Sequence, residues 1–536
     1  MATPTTANRQ IAQAAGTIMV AFSLSQAIGL VRSILITATF GTGRIYDAFV
    51  VANTYPNALF SLIAGGALAS AFVPTFTSLI TKKDLREAWQ LASAVTNLVL
   101  IFLSVLSLVS AICAPLIVRF ILAPQWPAEQ QALSANLLRI LLLTPAVFGV
   151  SGLVMGILNS HQRFLLPALA PAMYGVGMIL GLLLFVPSMG IYGLAWGAVL
   201  GASLHLLVQL PDLFRLSGQA YSPTLGLHSP PVREVIRLMG PRLLGVATVQ
   251  INSIVNNIIA TGPSQLPGAP SAISTAFMVM MLPEAAIAQS IAIAVLPTFS
   301  AQAARGEMDE LRSSLAATLR GLLLLAVPAS VGLILLRQPI VATVFQHGEF
   351  TPQNTSMVAW ALLWYAAGLV GHSMVEVLVR AFYALHDTKT PVLIGSIAMG
   401  LNVLLSLGLS TLFTALGWMP HGGLALANSL ATALEMAALL VFMRRRLGGL
   451  QGRLVLDGLI QAAAASAGMG LVLWGWMRLT QSTSVYWVSI GGVLLGGGVY
   501  SLGMLIQRVP ELGQLFAAVH KRVLKKSENG DMTHPG

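Results

Sequence analysis

Ionisable side chains set inside long apolar runs are the residues of this sequence with chemistry to offer. Arg32 sits deep in SQAIGLVRSILI, with no partner at helical spacing. A charge in a bilayer is costly, so Arg32 either binds an anionic group or forms half of an ion pair. Asp47 follows GTGRIY at the start of the second apolar run, as a helix N-cap or as a gate contact. Glu376 and Arg380 are four apart, which puts them on one helix face as a structural pair or a ligand site. Arg242 follows Gly240-Pro241 and either snorkels to the inner interface or faces a cavity. Glu284 follows Pro283, and Glu435 lies midway along another run. Each is either a protonated hydrogen-bonding group or a coupling point for a proton or monovalent cation. The amides Asn252, Asn256, Asn257 and Asn402 suit helix–helix hydrogen bonds or a cation, and His205 and His372 suit hydrogen bonds or a proton relay. There is no GxxxxGK[ST], no HExxH and no GxSxG, and the one cysteine, Cys113, excludes a thiolate metal cluster. The expectation is a non-enzyme with no cofactor and no metal.

The elements that must position these groups are membrane helices. Of 536 residues, 56% are hydrophobic and 9% charged, and the mean hydropathy is +0.80. Soluble domains carry about 25% charged residues, so a water-soluble enzyme is excluded. The net charge of +11 comes from too few charges to coat a nucleic acid. We count fourteen apolar runs of spanning length; backbone groups must pair internally in lipid, so the expected fold is an all-α polytopic bundle. With the N-terminus inside, the great majority of the Lys and Arg fall on one side: Lys82, Lys83 and Arg86, then Arg305 and Arg312, then Arg444, Arg445 and Arg446, then the tail. Both termini are therefore expected in the cytoplasm, with the first run as an uncleaved anchor.

The runs repeat. VPTFTSL at 73–79 resembles LPTFSAQ at 296–302; LPALAPAMYGVGMILGL from 166 resembles TPVLIGSIAMGLNVLLSL from 390; GLAWGAVLGASLH from 193 resembles GLALANSLATALE from 423. The three matches keep their order at a nearly fixed offset. The expected organisation is a six-helix lobe at 1–215, a linker at 216–232 long enough to let the lobes move, and a second lobe at 233–446. Two extra spans at 447–507 would supply a lipid-tail groove, and 508–536 would be a basic cytoplasmic tail. Parallel repeats of this kind occur in two-lobed transporters, whose substrate sits between the lobes. Corresponding helix breaks are expected at Gly65, Gly66 and Pro74 and at Pro283 and Pro297, lining the cavity or marking kinked packing.

Several motifs carry a family likeness: FGTGRIYDAFVVA at 40–52, AFVPTF at 71–76, GILNSHQRFLLPALAP at 156–171, MGPRLLGVATVQIN at 239–252, VFQHGEFT at 344–351 and FYALHDTKTPV at 382–392. On these the sequence resembles the MurJ/MviN family of lipid II flippases, within the superfamily of multidrug and polysaccharide exporters. The resemblance implies movement of an undecaprenyl-pyrophosphate disaccharide-pentapeptide from the inner to the outer leaflet of the bacterial plasma membrane. It places the family's first-span arginine on Arg32, its outer-gate aspartate on Asp47 and its Pro-Asn on Pro56 and Asn57. Other cavity charges are missing: a second first-span arginine falls on Gln26, an arginine pair on Phe60 and Ser61, an acid on Gly65, and an arginine and glutamate of the eighth span on Met278 and Met281.

The reading is a lipid II flippase working by alternating access, in contact with membrane lipids. Its substrate-binding candidates are Arg32, Arg242, Arg380, Glu284 and Glu376, and its gate candidates are Asp47, Pro56 and Asn57. Its driving force would be the membrane potential or an ion gradient. Two rivals stand beside it. One is an exporter of another lipid-linked saccharide or a drug on the same fold; the other is a non-transporting scaffold that recruits envelope-synthesis proteins.

Overall fold

The computed structural model describes residues 4–63, 69–216 and 221–509, and among them there are helices and turns but no strand. The first group of helices is α1 (Pro4–Phe40), α2 (Arg44–Ile63), α3 (Ala69–Thr81), α4 (Leu85–Ile112), α5 (Ala114–Ile117), α6 (Ala128–Leu141), α7 (Thr144–Ser160), α8 (Leu165–Leu184), α9 (Val186–Met189), α10 (Ile191–Leu207), α11 (Leu210–Phe214) and α12 (Pro230–Ala260). Then come α13 (Ala269–Glu284), α14 (Ser290–Ala304), α15 (Met308–Phe345), α16 (Pro352–Ala384), α17 (Lys389–Ala415), α18 (His421–Arg446), α19 (Gly452–Leu479) and α20 (Val485–Ile506). Single π turns interrupt the series at Val118–Leu122 and Ala285–Gln289.

Twelve segments of the described residues are long and apolar enough to cross a membrane, against the fourteen runs expected. The seventh run contributes only a shorter apolar stretch, Val246–Ala260, because α12 opens with Arg233, Glu234, Arg237 and Arg242. The second run contributes α2, with Arg44, Asp47 and Asn57, and a short α3. The outward faces are lipid-like: Ile101, Phe102, Leu108 and Ile112 on α4 and Leu471 and Leu494 on the last two helices are all exposed. In water that would be a liability; in a bilayer it costs nothing, because lipid tails are as apolar as the side chains.

The chain forms two compact units. One comprises residues 1–275, 345–357 and 399–424. Within it α8 and α10 approach through Gly177 and Gly181 on one helix and Gly197 and Gly201 on the other, where an added Cβ at Gly177 or Gly181 would meet backbone at 2.2 Å. Small residues spaced by four let membrane helices touch this way. Residues 221–227, expected to be a free linker, lie along α4: Asn97 Nδ2 donates to Thr224 O at 2.9 Å, and the Tyr221 hydroxyl donates to Asn97 Oδ1 at 2.8 Å.

The other unit comprises 276–344, 358–398 and 425–536. Its core joins Phe299, Leu315, Leu319, Phe382 and Leu439, all fully buried. The last two helices pack on α15 through Leu324, Leu336, Met469, Leu473 and Met504, and the Tyr500 hydroxyl donates to Leu324 O at 2.6 Å.

Candidate functional site

In the first unit Asp47 is the best-held charge. It lies one turn into α2 and is 1% exposed. The Gly268 N–H donates to its Oδ2 at 2.6 Å, and the Ser271 N–H and hydroxyl donate to its Oδ1 at 3.0 and 2.7 Å. Gly268 and Ser271 bracket the start of α13, so Asp47 caps a helix more than 200 residues away rather than its own. A carboxylate suits that place because the first N–H groups of a helix lack partners and carry partial positive charge. Charge-assisted bonds of this kind are about twice as strong as neutral ones.

The surrounding loops close on the same point. Asn354 Nδ2 donates to Thr42 O at 2.8 Å, and the Glu349 N–H donates to Ala38 O at 2.8 Å. His421 Nε2 lies 3.0 Å from Met357 O. Contact this tight requires glycine. Gly348 has φ +56°, and a Cβ there would sit 2.2 Å from Ala38 O; Gly268 has φ +95°, and its Cβ would sit 2.9 Å from Thr42 O. Two of the motifs behind the family likeness, FGTGRIYDAF and VFQHGEFT, thus build one latch. No residue of the second had been singled out, and neither had Gly268 or Ser271. The hints in the sequence were a PGAPS turn before an apolar run and a lone Gly in QHGEF.

Below the latch, the Arg32 guanidinium carbon lies 5.6 Å from the centre of the Tyr174 ring. Among the described residues no carboxylate pairs with it. A cation over a ring is partly compensated and remains able to take an anion. Of the other gate candidates, Pro56 is buried within α2 and Asn57 is exposed. The amides of α12 and α17 form a chain: Asn252 and Asn256 donate to Asn402 Oδ1 at 3.0 and 2.7 Å, and the Ser406 hydroxyl donates to Asn256 Oδ1 at 2.8 Å. Asn257 Nδ2 reaches Thr54 Oγ1 at 3.4 Å. A second buried network gives His205 the hydrogen-bonded place its sequence allows, joining Ser151 Oγ to His205 Nδ1 at 2.7 Å and to Gln209 Nε2 at 2.8 Å.

In the second unit Arg380 pairs with Glu376 at 3.2 Å along α16. Glu284, 4% exposed, lies within electrostatic reach of Glu376, and its Oε2 has no hydrogen-bond partner among the described residues. It directly precedes the π turn 285–289, so the eighth span breaks just after Pro283, whereas α14 runs on through Pro297 and α3 through Pro74. His372 Nε2 lies 3.0 Å from Asn428 Oδ1. Glu435 Oε1 lies 3.2 Å from where a Cβ of Gly395 would be. Arg242 lies on α12 with its side chain outside the described residues, as do Gly65, Gly66 and the tail 510–536.

A further aspartate, Asp387, sits in the loop before α17. It accepts from the Thr390 N–H at 3.0 Å and hydroxyl at 2.8 Å, and from Arg446 Nη1 at 2.6 Å. The Thr390 N–H, with the hydroxyl and Arg446 adding to it, holds this carboxyl below its ordinary range.

The family described as Lipid II flippase MurJ matches residues 36–493. The chain belongs to the MurJ family. Among relatives, a protein of Burkholderia cenocepacia named Lipid II flippase MurJ is 32% identical over 432 residues, covering 79% of this chain and 82% of its own. A protein of Bdellovibrio bacteriovorus named Probable lipid II flippase MurJ is 31% identical and covers 86% and 87%. A solved Lipid II flippase MurJ in an inward closed conformation superposes with a TM-score of 0.78 at 24% identity, over 92% of this chain and 98% of that one. An inward-facing multidrug resistance MATE family transporter superposes at 0.67 and 16% identity, over 81% and 99%. The MurJ fold thus accounts for nearly the whole chain.

Proposed function

We propose that this chain is a lipid II flippase of the bacterial inner membrane, carrying the undecaprenyl-pyrophosphate disaccharide-pentapeptide to the outer leaflet by alternating access. The observation that carries the reading, beside family membership, is the latch. Its loop and helix ends are joined by hydrogen bonds to Asp47, Thr42 O and Ala38 O, which water can replace when it opens. In this reading the latch lies on the outer side, both termini are cytoplasmic, and 1–215 and 233–446 act as lobes. Arg32 binds the pyrophosphate, because it is an in-membrane cation of the first unit that meets an aromatic ring and no carboxylate among the described residues. Bidentate guanidinium–phosphate contact suits that role. Glu284 and Glu376 supply a place for a proton or monovalent cation, and the driving force is the membrane potential or an ion gradient.

Complementation tests this. A bacterial host depleted of its own lipid II flippase should survive on the wild-type chain and die on a well-expressed Arg32→Ala variant. Good membrane insertion without rescue by the wild type would sink the lipid II assignment and favour the exporter of another lipid-linked saccharide. Rescue that survives loss of both Arg32 and Glu284 would favour the scaffold.

A further inference from the structure

Beside the latch, and sharing Asp47 with it, the first unit carries a cleft of two adjoining cavities of about 270 and 510 Å³. These lie at the lower end of and within the usual range of ligand sites, about 300–1,000 Å³. Arg44, Pro127 and Gln130 line both. The first also takes in Gln125, Trp126, Gln265 and the latch carboxylate Asp47; the second takes in Asn136, Tyr192 and Glu129. The walls are fixed. Gln130 Nε2 donates to Arg44 O at 3.2 Å, Gln131 Nε2 to Ala123 O at 2.9 Å, and Gln265 Nε2 to Ser410 Oγ at 2.9 Å. Gln265 Oε1 is buried without a hydrogen-bond partner, and Arg44 is exposed and unpaired with any carboxylate among the described residues.

This lining has a definite chemistry. Side-chain amides exchange hydrogen bonds with vicinal hydroxyls in both directions. An indole, a phenol ring and a proline offer flat apolar faces to the C–H side of a sugar ring. One guanidinium takes a phosphate or carboxylate bidentately. Glu129 repels an anion in the second cavity, and Asp47 in the first is already met by three donors, so the charged end is confined to Arg44, which lines both. We infer that the cleft is an exit subsite for an anionic saccharide, holding the head group of the exported lipid on the outer side after the latch has opened and closed again. The inference rests on the flippase reading for the identity of that saccharide.

The test uses the full chain in nanodiscs, in an Arg32→Ala background so that the pyrophosphate site does not contribute. The probe is the water-soluble disaccharide-pentapeptide 1-phosphate, titrated by saturation-transfer NMR. Arg44→Gln and Trp126→Leu should each weaken binding tenfold or more, and Glu129→Gln should leave it equal or tighter. A dephosphorylated probe that loses as much affinity as Arg44→Gln identifies the phosphate as the anion at Arg44; a probe that loses none identifies a peptide carboxylate. No binding by the parent chain, or equal binding by the Arg44→Gln and Trp126→Leu variants, overturns the inference. Lipid II flipping by the wild type in proteoliposomes, run in parallel, separates the cases. Flipping with an unresponsive cleft leaves the flippase reading standing, and absence of both removes the reading itself.

Discussion

Asp47 and Asp387 are two aspartates that cap helices, and they teach opposite lessons. Asp387 caps the helix that begins two residues after it, at a loop, with Arg446 lending a charge whose side chain is 43% exposed. Asp47 caps a helix from far along the chain, is closed off from water and takes three donors. The first is a local stop signal that any helix needs. The second makes a long-range closure depend on one carboxylate. A buried charge satisfied only by groups of another segment is costly to leave behind when that segment departs. Such a group therefore favours two states, latched or open to water, over any dry intermediate.

The largest expected effect follows from that. Asp47→Asn is nearly isosteric, yet it turns one acceptor into a donor. With its oxygen toward Ser271, its NH₂ faces the Gly268 N–H, and a donor is left unmet. Such a loss costs about 1–3 kcal/mol, which would shift the latch roughly five- to a hundred-and-fiftyfold toward open. Thr42, 6% exposed beneath the loop contact, is a reporter. In a Cys113→Ser background, Thr42→Cys should react with an impermeant thiol reagent at least about fivefold faster when Asp47 is Asn. Equal labelling would mean that the carboxylate does not hold the loops shut. Gly348→Ala should rank close behind. It combines left-handed strain of about 1–2 kcal/mol with a Cβ driven into Ala38 O. The same reporter should brighten, and Gly348→Ser, which carries the same Cβ, should brighten it as well.

How much of this was legible follows the same divide. The spans were readable because lipid demands uninterrupted apolar helices, and Glu376 with Arg380 because four residues make one turn. Asp387 sits in DTKT, a cap visible in the sequence. Asp47 was visible as a charge in a costly place, but its partners were not, since no spacing rule links residue 47 to residue 268. The glycines of the latch carry the information as a missing side chain, which marks a close approach without naming what approaches. Asn252 and Asn256 are a turn apart, as are Asn402 and Ser406, so each stripe was legible while their pairing was set by packing. Pro283 and Pro297 look alike in sequence. The π turn follows only Pro283, and the buried Glu284 beside it is a local difference between the two.

The smallest expected effect sharpens the contrast at Asp387. Its carboxyl titrates below its ordinary value in the folded chain, so its contribution is present above the unfolded value, about pH 3.9, and is lost as the pH falls through the lower folded value. Protonation then removes the negative charge that Arg446 pairs with and weakens the bonds from Thr390. Partly exposed pairs contribute about 0.2–1 kcal/mol, so thermal unfolding of Asp387→Asn should trail the wild type by only a few degrees at pH 7. The gap should shrink as the pH falls below about 4. Arg446→Gln should show part of that gap, because the bonds from Thr390 remain. A gap that instead widened on acidification would mean that Asp387 is held in its protonated form, and the comparison with Asp47 would have to be redrawn around a neutral cap.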